Sequence, residues 1–204
     1  GVKRAGLAVP DSVMLIVSPG CCGRNTSVLS SMRAYQDRFY YLLMDETDIV
    51  TGRHLKKIPK AVAEICEGLK KKPSVVMICI TCVDALLGTD MERVCHKAEE
   101  YAGVPVRPCY MYALTREGRK PPMVHVRQSV YSLLEPKKKK GNVVNLLGYF
   151  SPLTDDCELY DLLHGAGVKT IHEISRCKDY AQYQTMSEAN FNLVLHPEAR
   201  FAAE

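Results

Sequence analysis

The chain has 204 residues, 47% of them hydrophobic and 25% charged, which suits one ordinary folded domain or two small ones and excludes a disordered segment. Its net charge of +4 is mild, and its lysines gather in "LKKKP" and "EPKKKKG", which read as solvated connections rather than the broad basic face with interleaved aromatics that nucleic acid needs. No apolar run is long enough to cross a bilayer, and the start "GVKRAGLAVPDS" has no signal-peptide core, so the expectation is a cytoplasmic protein with neither a membrane nor a nucleic-acid partner.

Strand-like and helix-like segments alternate along the chain. "SVMLIVS" (12–18) is an apolar run of strand length. Residues 54–71 carry Ile58, Val62, Ile65 and Leu69 on one helical face. "SVVMICI" (74–80) is a second apolar strand, 90–103 is a second amphipathic helix with Val94, Cys95, Ala98 and Tyr101 inward, and "VPVRPCY" (104–110) is a third strand. Strands that are apolar throughout are buried on both faces, and with helices between them this predicts an α/β fold with a parallel, doubly wound sheet. "EPKKKKG" then breaks the pattern, and the rhythm restarts with strands at 142–150, 168–174 and 191–196 and helices at 155–167 and 179–190. The last stretch, "PEARFAAE", opens another helix with Pro197 in its first turn. The division expected is a first α/β domain over 1–135, a linker over 136–141, and the start of a second, incomplete Rossmann-like domain over 142–204.

Nine cysteines is a high count, and an odd number without a secretory leader argues for thiols kept reduced rather than a disulfide framework. No two C-x-x-C units stand at zinc-finger spacing, so a metal site would have to be assembled from positions far apart in sequence. In open α/β sheets, ligands bind beyond the carboxyl ends of the strands. Cys21 and Cys22 follow the first strand, Cys82 follows the second and Cys109 ends the third, so these thiols are expected at one rim, with Gly20 and Gly23 turning the chain sharply around the first two. Cys66, Cys79 and Cys95 read as small core residues, while Cys157 and Cys177 have no companion thiol. Asp84 is expected to cap the next helix, Asp48 to be structural, His54 to be exposed near a helix start, and "TREGRKPP" (115–122) to be a loop. The chain has no glycine-rich nucleotide loop of the G-x-G-x-x-G or Walker type.

At these residues the sequence resembles the nitrogenase component 1 superfamily over nearly its whole length. "SPGCCG" resembles the family's Gly-Pro-x-x-Cys-Gly segment, and "MDETDIVTGRHLKKIPKAV" its Glu-x-x-Asp-Ile-Val-x-Gly-Gly-x-x-x-Leu segment. "ITCVDALLGTDMERV" resembles its cysteine followed by Ile-Gly-Asp-Asp-Ile, and "GVPVRPCY", "NVVNLLGYF" and "MSEANFNLVLHPEA" resemble the strands that follow. The resemblance implies an iron–sulfur cluster of the 4Fe-4S type on Cys22 and Cys82; Arg24 and the backbone around Gly23 are then expected to tune its potential through hydrogen bonds to sulfur. It implies a homodimer or a paralogous sister chain that supplies the remaining ligands, and an ATP-dependent iron-protein reductase as electron source. The family carries a further cluster cysteine nearer the N-terminus. None precedes Cys21 here, so Cys21 is the candidate substitute. The family chains are longer and have a third domain, so the sequence is expected to be a fragment or shortened relative, inactive in isolation as an oxidoreductase component. Two alternatives stand beside electron transfer: a cofactor-assembly scaffold or carrier with the same fold, and a metal-free α/β binding domain.

Overall fold

The computed structural model describes residues 1–111 and 120–204, and of residues 23–27 the backbone alone. The loop expected over 115–122 therefore lies largely outside the described residues. In chain order, α1 (Val2–Gly6), β1 (Val13–Ser18), α2 (Gly20–Ser30), β2 (Phe39–Leu43), α3 (Glu46–Thr51) and α4 (Arg53–Gly68) come first. They are followed by β3 (Val76–Ile80), α5 (Cys82–Leu86), α6 (Met91–Ala102), β4 (Val106–Tyr110) and α7 (Pro122–Tyr131). The four strands form a parallel sheet in the order β2-β1-β3-β4.

The uninterrupted apolar sequence of β1 and β3 has its cause in this arrangement. Met14, Ile16, Met77 and Cys79 point into one core cluster, and Val13, Leu15, Val17, Val76, Ile78 and Ile80 into the other, so neither face meets water. α4 buries Ile58, Val62 and Cys66, and α6 buries Met91, Cys95, Ala98 and Ala102 in the second cluster. Tyr101, expected inward, is 54% exposed. At 100° per residue Ala102 takes the inward position one turn after Ala98, which rotates Tyr101 onto the flank. The side chain of Asp90 caps α6 by accepting the Arg93 N–H at 3.1 Å.

The second sheet is smaller and also parallel. It comprises β5 (Lys140–Leu147), β6 (Thr170–His172) and β7 (Ala189–Val194) in the order β6-β5-β7, with α8 (Glu158–Gly165), α9 (Tyr180–Gln184) and α10 (Arg200–Ala203) around it. β5 starts at Lys140, so the last two residues of the expected linker are strand. The expected helix over 179–190 is shorter: α9 passes into a 3-10 turn over Thr185–Glu188, and β7 begins at Ala189. The two sheets share a core through α7. Val126 and Val130 pack in one cluster with Met14 and Ile16 on one side and with Leu147, Ile174, Tyr183 and Met186 on the other. Arg127 reinforces this seam: Nε and Nη2 donate to the Gly148 carbonyl at 3.1 and 2.6 Å, and Nη1 pairs with Glu198 at 2.9 Å. The fold is thus α/β, with two parallel sheets flanked by helices, as expected.

Candidate functional site

All four strands of the first sheet end at one edge, and β1 and β3 are neighbours there. β1 runs through Pro19 straight into α2, so Cys21 and Cys22 lie in the first turn of a helix. The sharp glycine turn expected around them is not formed: Gly20 is helical, and the Cys22 N–H donates to the Pro19 carbonyl at 3.0 Å. Cys21 is exposed and Cys22 half-buried, with their sulfurs 3.9 Å apart. Cys82, also half-buried, opens α5 directly after β3. Burial raises the Cys22 thiol above its ordinary pKa, Cys21 raises it further and the charge of Cys82 adds to this, while Lys3 on α1 opposes the shift. Gly23 and Arg24 lie outside the described side chains.

At the same strand ends are two hydroxyls that the sequence reading passed over. Ser18 ends β1 and Thr81 follows β3, both are buried, and neither hydroxyl oxygen has a hydrogen-bond partner among the described residues. Thr81 occupies the N-cap of α5 without using its side chain to cap.

A buried clasp stands behind Cys82. His54, expected at the surface, is 1% exposed. Its Nδ1 donates to the Asp48 carbonyl at 3.1 Å, since a carbonyl can only accept, and its Nε2 meets Asp84 Oδ1 at 2.9 Å. Asp84 does not cap the next helix, which Asp90 does. It lies inside α5, where Oδ1 also accepts from the Thr89 hydroxyl at 3.0 Å and Oδ2 has no partner among the described residues. Asp48 is structural, as expected. It forms a capping box with Asp45, and Lys57 reaches both its oxygens at 2.8 and 2.9 Å. Lys57 above all, then the Asp45 bond, holds the Asp48 carboxyl below its usual range despite burial.

The other cysteines are divided between core and periphery. Cys66, Cys79 and Cys95 are buried, as expected. Cys109, expected at the rim, is fully buried and paired in register with Cys79, whose contact raises its thiol well above the ordinary value, with burial adding to it. It sits one residue short of the end of β4, with its side chain turned into the core cluster. Cys79 and Cys82 form a C-x-x-C spacing, but Cys79 faces the core while Cys82 lies beyond the strand, so they are not a chelating pair. Cys157 and Cys177 are half-buried in the second unit. Among the described residues, no group of three or more His, Cys, Asp or Glu side chains is arranged to hold a metal ion, and no helix is long and apolar enough to cross a membrane.

A fold of two parallel sheets with thiols gathered at the carboxyl edge of the first defines the class, and comparison of the sequence agrees with it. The profile of the nitrogenase component 1 type oxidoreductases matches residues 1–204, and the chain belongs to that family. Within it, the chain is similar to the nitrogenase iron-molybdenum cofactor biosynthesis protein NifE of several organisms. It is 28% identical over 176 residues to that of Rhizobium meliloti (83% of this chain, 37% of the relative) and 26% identical over 211 residues to that of Klebsiella pneumoniae (96% and 46%). It is 34% identical over 158 residues to that of Mesorhizobium japonicum (74% and 32%). The fold is similar to that of the solved structure "Nitrogenase Cp1 at pH 6.5", with a TM-score of 0.62 at 21% identity, over 93% of this chain and 40% of that one. The chain thus spans less than half the length of these relatives.

Proposed function

We propose that the carboxyl edge of the first sheet holds a 4Fe-4S-type iron–sulfur cluster on the Cys22 and Cys82 thiolates, and that the chain serves electron transfer in an ATP-dependent reductase system. The observation that carries this reading is that Cys22 and Cys82 follow the carboxyl ends of two adjacent parallel strands. The donor set fits the group: thiolates are soft ligands that spread charge onto iron, and the unpartnered Ser18 and Thr81 hydroxyls supply hydrogen-bond donors to sulfur. Two thiolates are half of the usual set. A second copy of this chain or a sister chain would supply the other two, and Cys21, beside Cys22, is the local substitute.

A partner at this edge is supported by its apolar exposure. Leu43 at the end of β2, Val50 on α3, and Leu86 and Leu87 at α5 are 58%, 85%, 74% and 51% exposed. When bound, the group supplies one-electron redox chemistry; the chain's part is to fix the thiolates, restrict water and donate hydrogen bonds. An iron-protein reductase is the expected electron donor, and the setting is the cytoplasm.

A second reading, that of a scaffold or carrier in cofactor assembly, is favoured by the named relatives, which are cofactor biosynthesis proteins. Anaerobic expression and reconstitution followed by iron and sulfide analysis tests the site. We expect bound iron and sulfide in the parent protein, loss in Cys22→Ser and Cys82→Ser, and retention in Cys66→Ser and Cys95→Ser. Background iron in the parent protein, or a full cluster in both rim variants, would refute the reading. Repeated turnover with an iron-protein reductase and ATP identifies the redox role, and a single stoichiometric release identifies the carrier.

A further inference from the structure

We infer that Ser18 and Thr81 are paired hydroxyl donors to the sulfur atoms at this edge, tuning whatever Cys22 and Cys82 hold; the inference rests on the function proposed above. The parallel register joins Val17 to Ile80, so the next residues, Ser18 and Thr81, stand side by side. Both follow by two positions a residue of the same core face, Ile16 and Cys79, and so project to that face. It is the face on which α2 packs through Leu29, and α2 carries Cys22 in its first turn. Cys82 is the residue after Thr81. Two adjacent hydroxyls thus stand at the strand ends from which the chain runs on to Cys22 and Cys82.

Ser18 and Thr81 are 0% and 2% exposed, and among the described residues neither hydroxyl oxygen has a partner. Local bonds were open to them. Thr81 is the N-cap of α5, where a threonine ordinarily accepts a backbone N–H, and it does not. A buried hydroxyl without a partner costs about 1–3 kcal/mol, so two together at a functional edge call for an acceptor that arrives from outside the fold. A hydroxyl donates to electron-rich atoms, and sulfide and thiolate sulfur are such acceptors. Hydrogen bonds of this kind stabilise the more negative, reduced state and raise the potential.

The test uses Ser18→Ala, Thr81→Val and the double variant, each measured without metal and after anaerobic reconstitution. Without metal, the variants should unfold at higher temperature than the parent, because each removes an unpaired buried oxygen. After reconstitution, iron and sulfide content should stay near the parent value. The midpoint potential should fall, and loss of iron to a chelator should quicken about tenfold per hydroxyl, the scale of one hydrogen bond to a charged acceptor. Variants that are less stable without metal, or whose loaded form keeps the parent potential, would overturn the inference while leaving the cluster reading intact. A parent protein that takes up no iron would overturn both.

Discussion

His54 Nε2 lies 2.9 Å from Asp84 Oδ1, and both residues are 1% exposed although 30 positions separate them. The contact fastens α4 to α5, the short helix that begins at Cys82. Five residues of isolated helix have little intrinsic stability, so this clasp and the Thr89 bonds to Asp84 fix where Cys82 stands.

Removing one member of this pair strands the other in the core. His54→Ala and Asp84→Ala should each destabilise the fold by about 3–5 kcal/mol in urea unfolding, and the double variant by less than the sum. In the single variants Cys82 should also react faster with a thiol reagent under native conditions, while Cys95 should not. Additive energies would show that the two side chains act independently.

Asp48 gives a pH dependence with a definite sign. Its carboxyl titrates below its ordinary value, chiefly because Lys57 bonds both oxygens. A depressed carboxylate pKa adds stability above the unfolded value, about pH 4, and that stability is lost as pH falls through the folded value. Lys57→Met should therefore unfold more readily than the parent at pH 6, and the gap should close in strong acid. A gap that stays constant with pH would assign the effect to lost packing of the lysine stem.

How much of this was legible in the sequence depends on the kind of signal. β1 and β3 were plain because burial on both faces leaves an unbroken aliphatic run, and α4 and α6 because one buried face repeats at helical spacing. β2 was missed because Tyr41 and Leu43 face outward from an edge strand, giving "FYYLL" no clear pattern. α2 was missed because "GCCGRNTSVLS" has no apolar period. Cys22 and Cys82 could be placed at one edge because strand ends are readable. The His54 clasp could not, since its partner is 30 residues away and no local rule pairs them. Asp84, two residues after Cys82, was the available hint, read instead as a cap.

Gly148 marks the closest approach in the second unit. Its φ is +144°, and an added Cβ would lie 2.7 Å from the His196 backbone nitrogen. The main chain of β5 and the segment after β7 meet there, through the Leu195 N–H to the Leu147 carbonyl at 2.7 Å. Arg127 also depends on this point, because two of its donors go to the Gly148 carbonyl. Gly148→Ala should destabilise by about 1–3 kcal/mol or more, read from a lower urea midpoint. An unchanged midpoint would mean that the segment at His196 shifts freely to make room.

The edge of the second sheet supplies the last prediction. β7 pairs with β5 on one side, and from Asn190 to Val194 its residues are exposed, with Phe191 at 64%, Leu193 at 37% and Val194 at 38%. α10 covers part of the strand, tied by Asn192 Nδ2 to the Ala203 carbonyl at 3.0 Å. An apolar edge of five or six residues with free backbone groups is a template for a further strand. The 204-residue polypeptide, prepared by itself, should therefore self-associate as its concentration rises, visible as increasing mass in light scattering. Phe191→Lys should suppress this, because a charge on an edge strand opposes pairing, and it should leave the melting temperature nearly unchanged because the side chain is already in water. The edge proposed to hold the cluster lies on the other sheet, so anaerobic iron uptake should survive the substitution. A Phe191→Lys protein that associates as strongly as the parent would move the sticky surface away from β7, most directly to the exposed Leu86 and Leu87 beside Cys82.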